Sequence, residues 1–94
     1  MKNLFDIKDY VVVITGGTGV LGRCIAKYLA QNGAKVAILG RKEEIGNAIV
    51  DDIKKAGGDA CFFKTDVMNQ EVVEQNSKDI LAKYGHIDTL LNAA

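Results

Sequence analysis

The sequence predicts an α/β domain whose strands lie parallel, and three observations predict it. Short strand-like runs, the first of them continuous and β-branched, alternate with segments of helical periodicity. No hairpin turn joins one run to the next. A glycine-rich stretch, Thr15-Gly16-Gly17-Thr18-Gly19-Val20-Leu21-Gly22, stands directly behind the first run.

The elements follow in order. Val11 to Thr15 is short, continuous and β-branched, the pattern of a strand buried on both faces. Val20 to Gln31 reads as a helix with Leu21, Ile25 and Leu29 as its apolar stripe, ended by Asn32 and a left-handed Gly33. Lys35 to Leu39 is the second strand. Ile45, Ile49 and Ile53 repeat the stripe in a helix from Lys42 to Ala56, which Gly57-Gly58 terminates. Ala60 to Thr65 is the third strand. Asn69 is the N-cap of a helix running to Tyr84, with Val73, Ile80, Leu81 and Tyr84 inward and Gly85 as its C-cap. Thr89 to Asn92 is the fourth strand. The order is βαβαβαβ. Right-handed crossovers put the first two helices on one face, and strand order 3-2-1-4 puts the third on the other. The expected architecture is the first half of a Rossmann-like doubly wound parallel sheet, with residues 1–94 as one segment.

A strand that runs into a glycine turn and then a helix is the local architecture for holding a nucleotide pyrophosphate. Gly16 makes the turn, Gly19 allows close phosphate approach, and Gly22 lets the helix pack on the first strand. Amides from Thr18 through Val20 to Leu21 are the expected donors, each worth about 1.5–3 kcal/mol to a charged acceptor. Thr18 could add a hydroxyl; Thr15 fits better as a strand residue bonding locally. The competing reading is a turn serving only tight packing. Against it, four glycines within seven residues cost chain entropy that packing alone does not require.

Residues behind the other strands say which dinucleotide. An Asp or Glu after the second strand accepts bonds from the adenosine ribose in NAD sites. This chain has Gly40 there, then Arg41 and Lys42. That removes a carboxylate that would repel a 2′-phosphate and adds two cations, so NADP is favoured over NAD. Solvation of a loop is the alternative for both cations, and Glu43 and Glu44 blunt the field. Asp66 behind the third strand can accept from the adenine amino group while Val67 covers the ring; otherwise Asp66 opens a turn. Asn92 and Ala93 end the fourth strand, where small residues leave room for the nicotinamide ribose. Asn92 serves equally as a polar lock between strands.

Composition narrows the class. The chain has 94 residues, 48% hydrophobic and 26% charged, with Lys plus Arg and Asp plus Glu balanced at 12 each. Zero net charge offers no electrostatic footprint for nucleic acid. No apolar run approaches the ~20 residues of a membrane helix, and Met1 to Asp6 lacks a secretory apolar region. Cys24 and Cys61 read as small reduced core residues. With one histidine and no ligand spacing, a metal site is not expected. The expected location is cytoplasmic.

The sequence resembles the short-chain dehydrogenase/reductase family over essentially the whole chain. The resemblance rests on Leu4-Phe5-Asp6-Ile7-Lys8, Thr15 to Gly22, Asp66-Val67, Tyr84-Gly85-His86-Ile87-Asp88 and Leu91-Asn92-Ala93-Ala94. It implies an NAD(P)-dependent oxidoreductase acting on alcohols and carbonyls, usually a homo-oligomer. It puts Gly16, Thr18, Gly19, Leu21, Arg41, Asp66, Val67, Asn92 and Ala93 at cofactor-contacting positions. Two departures stand out. The common branch of the family has its middle glycine where this chain has Val20; Gly19 matches the spacing of the sugar-nucleotide epimerase and dehydratase branch. The usual Asn-Asn-Ala-Gly of the fourth strand is Asn92-Ala93-Ala94 here.

The family's chemistry needs a Ser or Thr, a Tyr, and a Lys four residues after it. Tyr10, Tyr28 and Tyr84 are followed at that spacing by Ile14, Asn32 and Asp88, and Ser77 lies mid-helix. No catalytic residue is therefore assigned, and His86 reads as a solvated loop residue. The expectation is the N-terminal, cofactor-binding half of a longer enzyme, inactive alone, whose fourth strand is a bare edge prone to self-association. A non-catalytic nucleotide-sensing module and an epimerase-like protein are the alternatives.

Overall fold

A computed structural model of the chain describes residues 8–16, 19–66 and 69–92. The elements are β1 (Val11–Thr15), α1 (Val20–Gln31), β2 (Lys35–Gly40), α2 (Glu43–Lys55), β3 (Asp59–Lys64), α3 (Gln70–Tyr84) and β4 (Thr89–Asn92). They form a 4-stranded sheet in the order β3-β2-β1-β4. Every pairing is parallel, with Val12 opposite Val36 and Thr89, and Val36 opposite Ala60. This is the expected α/β half-sheet, and its order reverses between β1 and β4.

Alternation along the strands divides the core in two. Val12, Ile14, Val36, Ile38 and Ala60 meet Ala26, Ala30, Ile49, Val50 and Ile53 under α1 and α2. Val11, Val13, Ala37 and Leu39 meet Ile80 under α3, with Cys61, Phe63, Tyr84 and Ile87 half-buried around them. The first two helices thus share a face and the third takes the other, as right-handed crossovers require.

The glycines punctuate as expected. Gly33 (φ +93°) follows α1, where the N–H groups of Gly33 and Ala34 donate to the carbonyls of Ala30 and Leu29. Gly57 (φ +88°) follows α2, where Gly57 and Gly58 donate to Lys54 and Ile53. Both closures are the double-bonded helix end that a left-handed residue makes possible. Asn69 caps α3 by accepting from the Val72 N–H at 3.4 Å.

Several side chains depart from the periodicity reading. Leu21 is 63% exposed, and α1 turns Gly22, Ala26 and Ala30 to the sheet, with Ile25 and Leu29 partly buried against the core beside them as expected. Gly22, Ala26 and Ala30 lie one step around the helix from Leu21, Ile25 and Leu29. Small side chains let the helix axis come closer, so the close-packed face centres on them and leaves Leu21 outside. Leu81 is 46% exposed, because the inward face of α3 runs through Asn76, Ile80 and Tyr84. Cys24 is exposed and Cys61 half-buried, so only one of the two cysteines approaches a core position. Strand β2 gains Gly40, and β3 runs from Asp59 to Lys64, one residue earlier at each end than expected.

Candidate functional site

The registers align Asn92, Thr15, Leu39 and Phe63 in one row across the sheet. Beyond that row, at the carboxyl ends of the strands, the chain carries Gly16, Arg41 and Asp66. The first turn of α1 begins on the same side. Every described residue assigned to the cofactor from sequence lies on this single edge, outside the point where strand order reverses. That is where open α/β sheets bind their ligands.

Gly16 leaves β1 at φ +71°, a conformation an L side chain resists. Its N–H donates to the Leu39 carbonyl at 3.0 Å, and its carbonyl accepts from the Gly19 N–H at 3.2 Å. The Gly19 amide is therefore spent inside the turn, and the expectation that it faces a phosphate is corrected. Among the described residues a Cβ built at Gly19 meets only the Gly16 carbonyl oxygen, at 3.6 Å. Gly19 is the N-cap of α1 and provides no side-chain cap, and no acidic residue stands in the first turn. The first backbone bond of the helix runs from the Arg23 N–H to the Gly19 carbonyl at 2.9 Å. Helix geometry then leaves the amides of Val20, Leu21 and Gly22 without intrahelical acceptors. Together with the helix dipole they make a site for an anion, and the donor set fits a pyrophosphate.

Around this cradle, Thr15 Oγ1 donates to the Leu91 carbonyl at 3.3 Å, a local bond between β1 and β4. Arg41 is exposed directly behind buried Gly40. Lys64 stands in register with Gly40. Strand pairing thus sets a third cation opposite the residue that precedes Arg41 and Lys42, which sequence reasoning missed. Asp66 is exposed, and its carbonyl accepts from the Asn69 N–H at 2.8 Å. Thr18, Val67 and Ala93 lie outside the described residues, as do the side chains of Val20 and Asn92.

Behind Asp66 lies a polar pair that the linear reading also missed. Thr65 is 1% exposed and Asn76 of α3 is 7% exposed. The Asn76 amide donates to Thr65 Oγ1, which donates in turn to the Phe63 carbonyl at 3.1 Å. An Asn in place of an apolar residue on the inward helix face was the available signal.

Groups at the other end of the sheet serve the fold. Asp88 accepts from the Val11 N–H at 2.8 Å, and the Asp88 N–H donates to the Val11 carbonyl at 2.9 Å, pinning the start of β4 to β1. His86 Nε2 lies 3.0 Å from Asp88 Oδ2 and 3.3 Å from the Asp9 carbonyl. It is an exposed loop residue, as expected, and these contacts tether it. Tyr84 reaches Asp59 at 3.5 Å and Cys61 at 3.7 Å. Burial pushes the Cys61 thiol and the Tyr84 phenol above their ordinary values, so both stay protonated at neutral pH. Neither is a nucleophile or a base there. A cavity of about 200 Å³ lined by Lys27, Ala30, Gln31, Asp52 and Ile53 lies between the last turns of α1 and α2, far from the glycine turn. Its charged lining is satisfied by the Lys27–Asp52 ion pair at 3.4 Å.

The chain belongs to the short chain dehydrogenase family, whose model matches residues 10–94. It is 48% identical over 95% of its length to the uncharacterised oxidoreductase UxuB of Bacillus subtilis (strain 168), covering 32% of that protein. Among solved structures it resembles an NAD+-bound xylitol dehydrogenase, with TM-score 0.85, 26% identity and coverage of 89% of this chain and 32% of the other. A metagenomic short-chain oxidoreductase in complex with NADP gives TM-score 0.85, 29% identity and coverage of 90% and 38%. The chain thus spans about a third of the length of these relatives. The family match favours the dehydrogenase reading over the sensor and epimerase alternatives.

Proposed function

We propose that this chain is the dinucleotide-binding part of an NAD(P)-dependent oxidoreductase that interconverts an alcohol and a carbonyl. The observation that carries the reading is the uncapped first turn of α1 behind the left-handed Gly16, at the carboxyl edge of a sheet belonging to this family. When bound, the nicotinamide group supplies or accepts the hydride. The chain's own residues bind and orient: the amides of Val20, Leu21 and Gly22 hold the pyrophosphate, Thr18 supports it, and Gly19 leaves it space. Asp66 and Val67 take the adenine, while Asn92 and Ala93 flank the nicotinamide ribose.

NADP is the proposed cofactor. What supports this is that Gly40 occupies the position of the usual carboxylate and is followed by Arg41 and Lys42, with Lys64 in register with Gly40 on the neighbouring strand. A charged contact of about 1.5–3 kcal/mol corresponds to roughly 10- to 150-fold preference. Calorimetric titration of NADP+ and NAD+ tests this. Arg41→Ala is expected to erase the NADP preference and leave NAD+ affinity unchanged; equal affinities in the unaltered chain would refute it. No Tyr here has a Lys four residues on, so the 94-residue chain is proposed to bind cofactor without turnover. The complete enzyme is proposed to be a cytoplasmic homo-oligomer.

A further inference from the structure

Asp66 is held from both sides by α3. On one side Thr65 receives the Asn76 amide; on the other, the Asp66 carbonyl accepts from Asn69, the residue that caps the helix. The Thr65 N–H also donates to the Gly40 carbonyl at 2.7 Å, one residue before Arg41. Thr65 therefore joins the two strand ends proposed to flank the adenosine.

Stability does not demand this arrangement. Thr65 and Asn76 are the buried polar side chains among the described residues. Replacing both partners of such a pair with apolar groups of similar shape is nearly neutral or stabilising. The pair offers direction instead. The fully buried apolar residue of α3 is Ile80, with half-buried Tyr84 beyond it, both toward the end of the helix away from Asp66; nearer Asp66 the fully buried side chain is Asn76. A bond between a planar amide and a hydroxyl, itself fixed to Phe63, selects one setting of the helix there.

From this we infer that Asn76, acting through Thr65, is a positioning residue for adenine recognition: it sets where the Asp66 carboxylate stands. The inference rests on the proposed adenine role of Asp66. A carboxylate that accepts from the 6-amino group distinguishes adenine from hypoxanthine, which carries oxygen there. Misplacing it erodes the distinction while leaving the pyrophosphate contacts intact.

The test measures ADP and IDP affinities of the 94-residue chain by calorimetry, alongside thermal melts. The unaltered chain is expected to prefer ADP by about tenfold or more. Thr65→Val with Asn76→Leu is expected to melt within a few degrees of the parent yet lower the preference to about twofold or less, with IDP affinity held. Thr65→Ser keeps the hydroxyl and is expected to keep the preference. Asn76→Ala orphans no donor, because Thr65 still donates to Phe63, and serves if the double variant does not fold. Asp66→Ala separates the two claims. Loss of preference in Asp66→Ala but not in the Asn76 variants overturns the positioning role alone. No loss in Asp66→Ala overturns the adenine reading and the inference with it. A fall in ADP and IDP affinity by equal factors shows general loosening and also overturns the inference.

Discussion

Gly16 and Gly19 sit three residues apart in one turn, yet they are glycines for different reasons. Gly16 has φ +71°, so Gly16→Ala places a Cβ in a conformation that costs an L residue about 1–2 kcal/mol. Gly19 has φ −76° and ψ 171°, ordinary extended backbone, and among the described residues nothing lies closer than 3.6 Å to a Cβ built there. Gly19→Ala gains about 0.4–1 kcal/mol from a less flexible unfolded chain. It loses a similar amount because Ala is a poor N-cap. The described fold therefore does not demand glycine at this position, whereas the proposed close-lying phosphate would. Urea melts should show Gly16→Ala destabilised and Gly19→Ala within about 1 kcal/mol of the parent. Calorimetry should show Gly19→Ala losing NADP affinity at least tenfold. Unchanged affinity would move the phosphate away from Gly19. Such residues were legible because glycines leave a spaced mark in a sequence. The Thr65–Asn76 bond left only a polar residue on an inward face, and no count of periodicity reveals its partner 11 residues away.

At the scale of elements, α2 carries a glycine that looks like a flaw. Gly46 is buried mid-helix, where Ala would favour the helix by about 0.8–1 kcal/mol. A Cβ at Gly46, however, would stand 2.2 Å from Phe62 Cδ1 and 2.3 Å from Cε1. The Phe62 ring packs against the core cluster under α1 and α2, so it cannot yield without disturbing neighbours. Overpacking of this kind costs about 1–3 kcal/mol, enough to reverse the helical gain. Gly46→Ala should lower stability by about 1 kcal/mol in urea melts. Phe62→Leu should be less damaging in that background than in the parent, a coupling of about 1 kcal/mol in a double-mutant cycle. A neutral or stabilised Gly46→Ala would show that the ring swings aside. The seven elements were legible because each strand is a short run with apolar residues at its centre and each helix is followed by glycine within two residues. Which face of α1 turns inward was not. That choice depends on how closely two backbones approach, which favoured Gly22, Ala26 and Ala30 over Leu21.

For the whole molecule, order β3-β2-β1-β4 makes β4 an outer strand of the described sheet. Its partner side is β1; along the other side its backbone N–H and C=O groups meet no strand among the described residues. Outer strands of soluble proteins are usually blunted by charge, proline or a covering segment. Thr89-Leu90-Leu91-Asn92 contains neither charge nor proline, and Leu90 is 65% exposed. By strand alternation Leu90 faces the side of the sheet that α3 covers, and Leu91 faces α1. A second strand laid along β4 would satisfy the backbone groups and cover Leu90 together. The outer strand β3, by contrast, begins with Asp59 and ends with Lys64, charges that oppose such pairing. The 94-residue chain should therefore associate with itself through β4, and sedimentation velocity over a concentration series should show monomer giving way to larger species. Leu90→Lys adds a charge at an exposed position, so circular dichroism should be unchanged while association falls. NADP should leave association in place, because the cofactor's proposed contacts are at the end of β4 and not along its side. A chain that stays monomeric throughout the series, or one whose association survives Leu90→Lys, would locate the contact surface elsewhere.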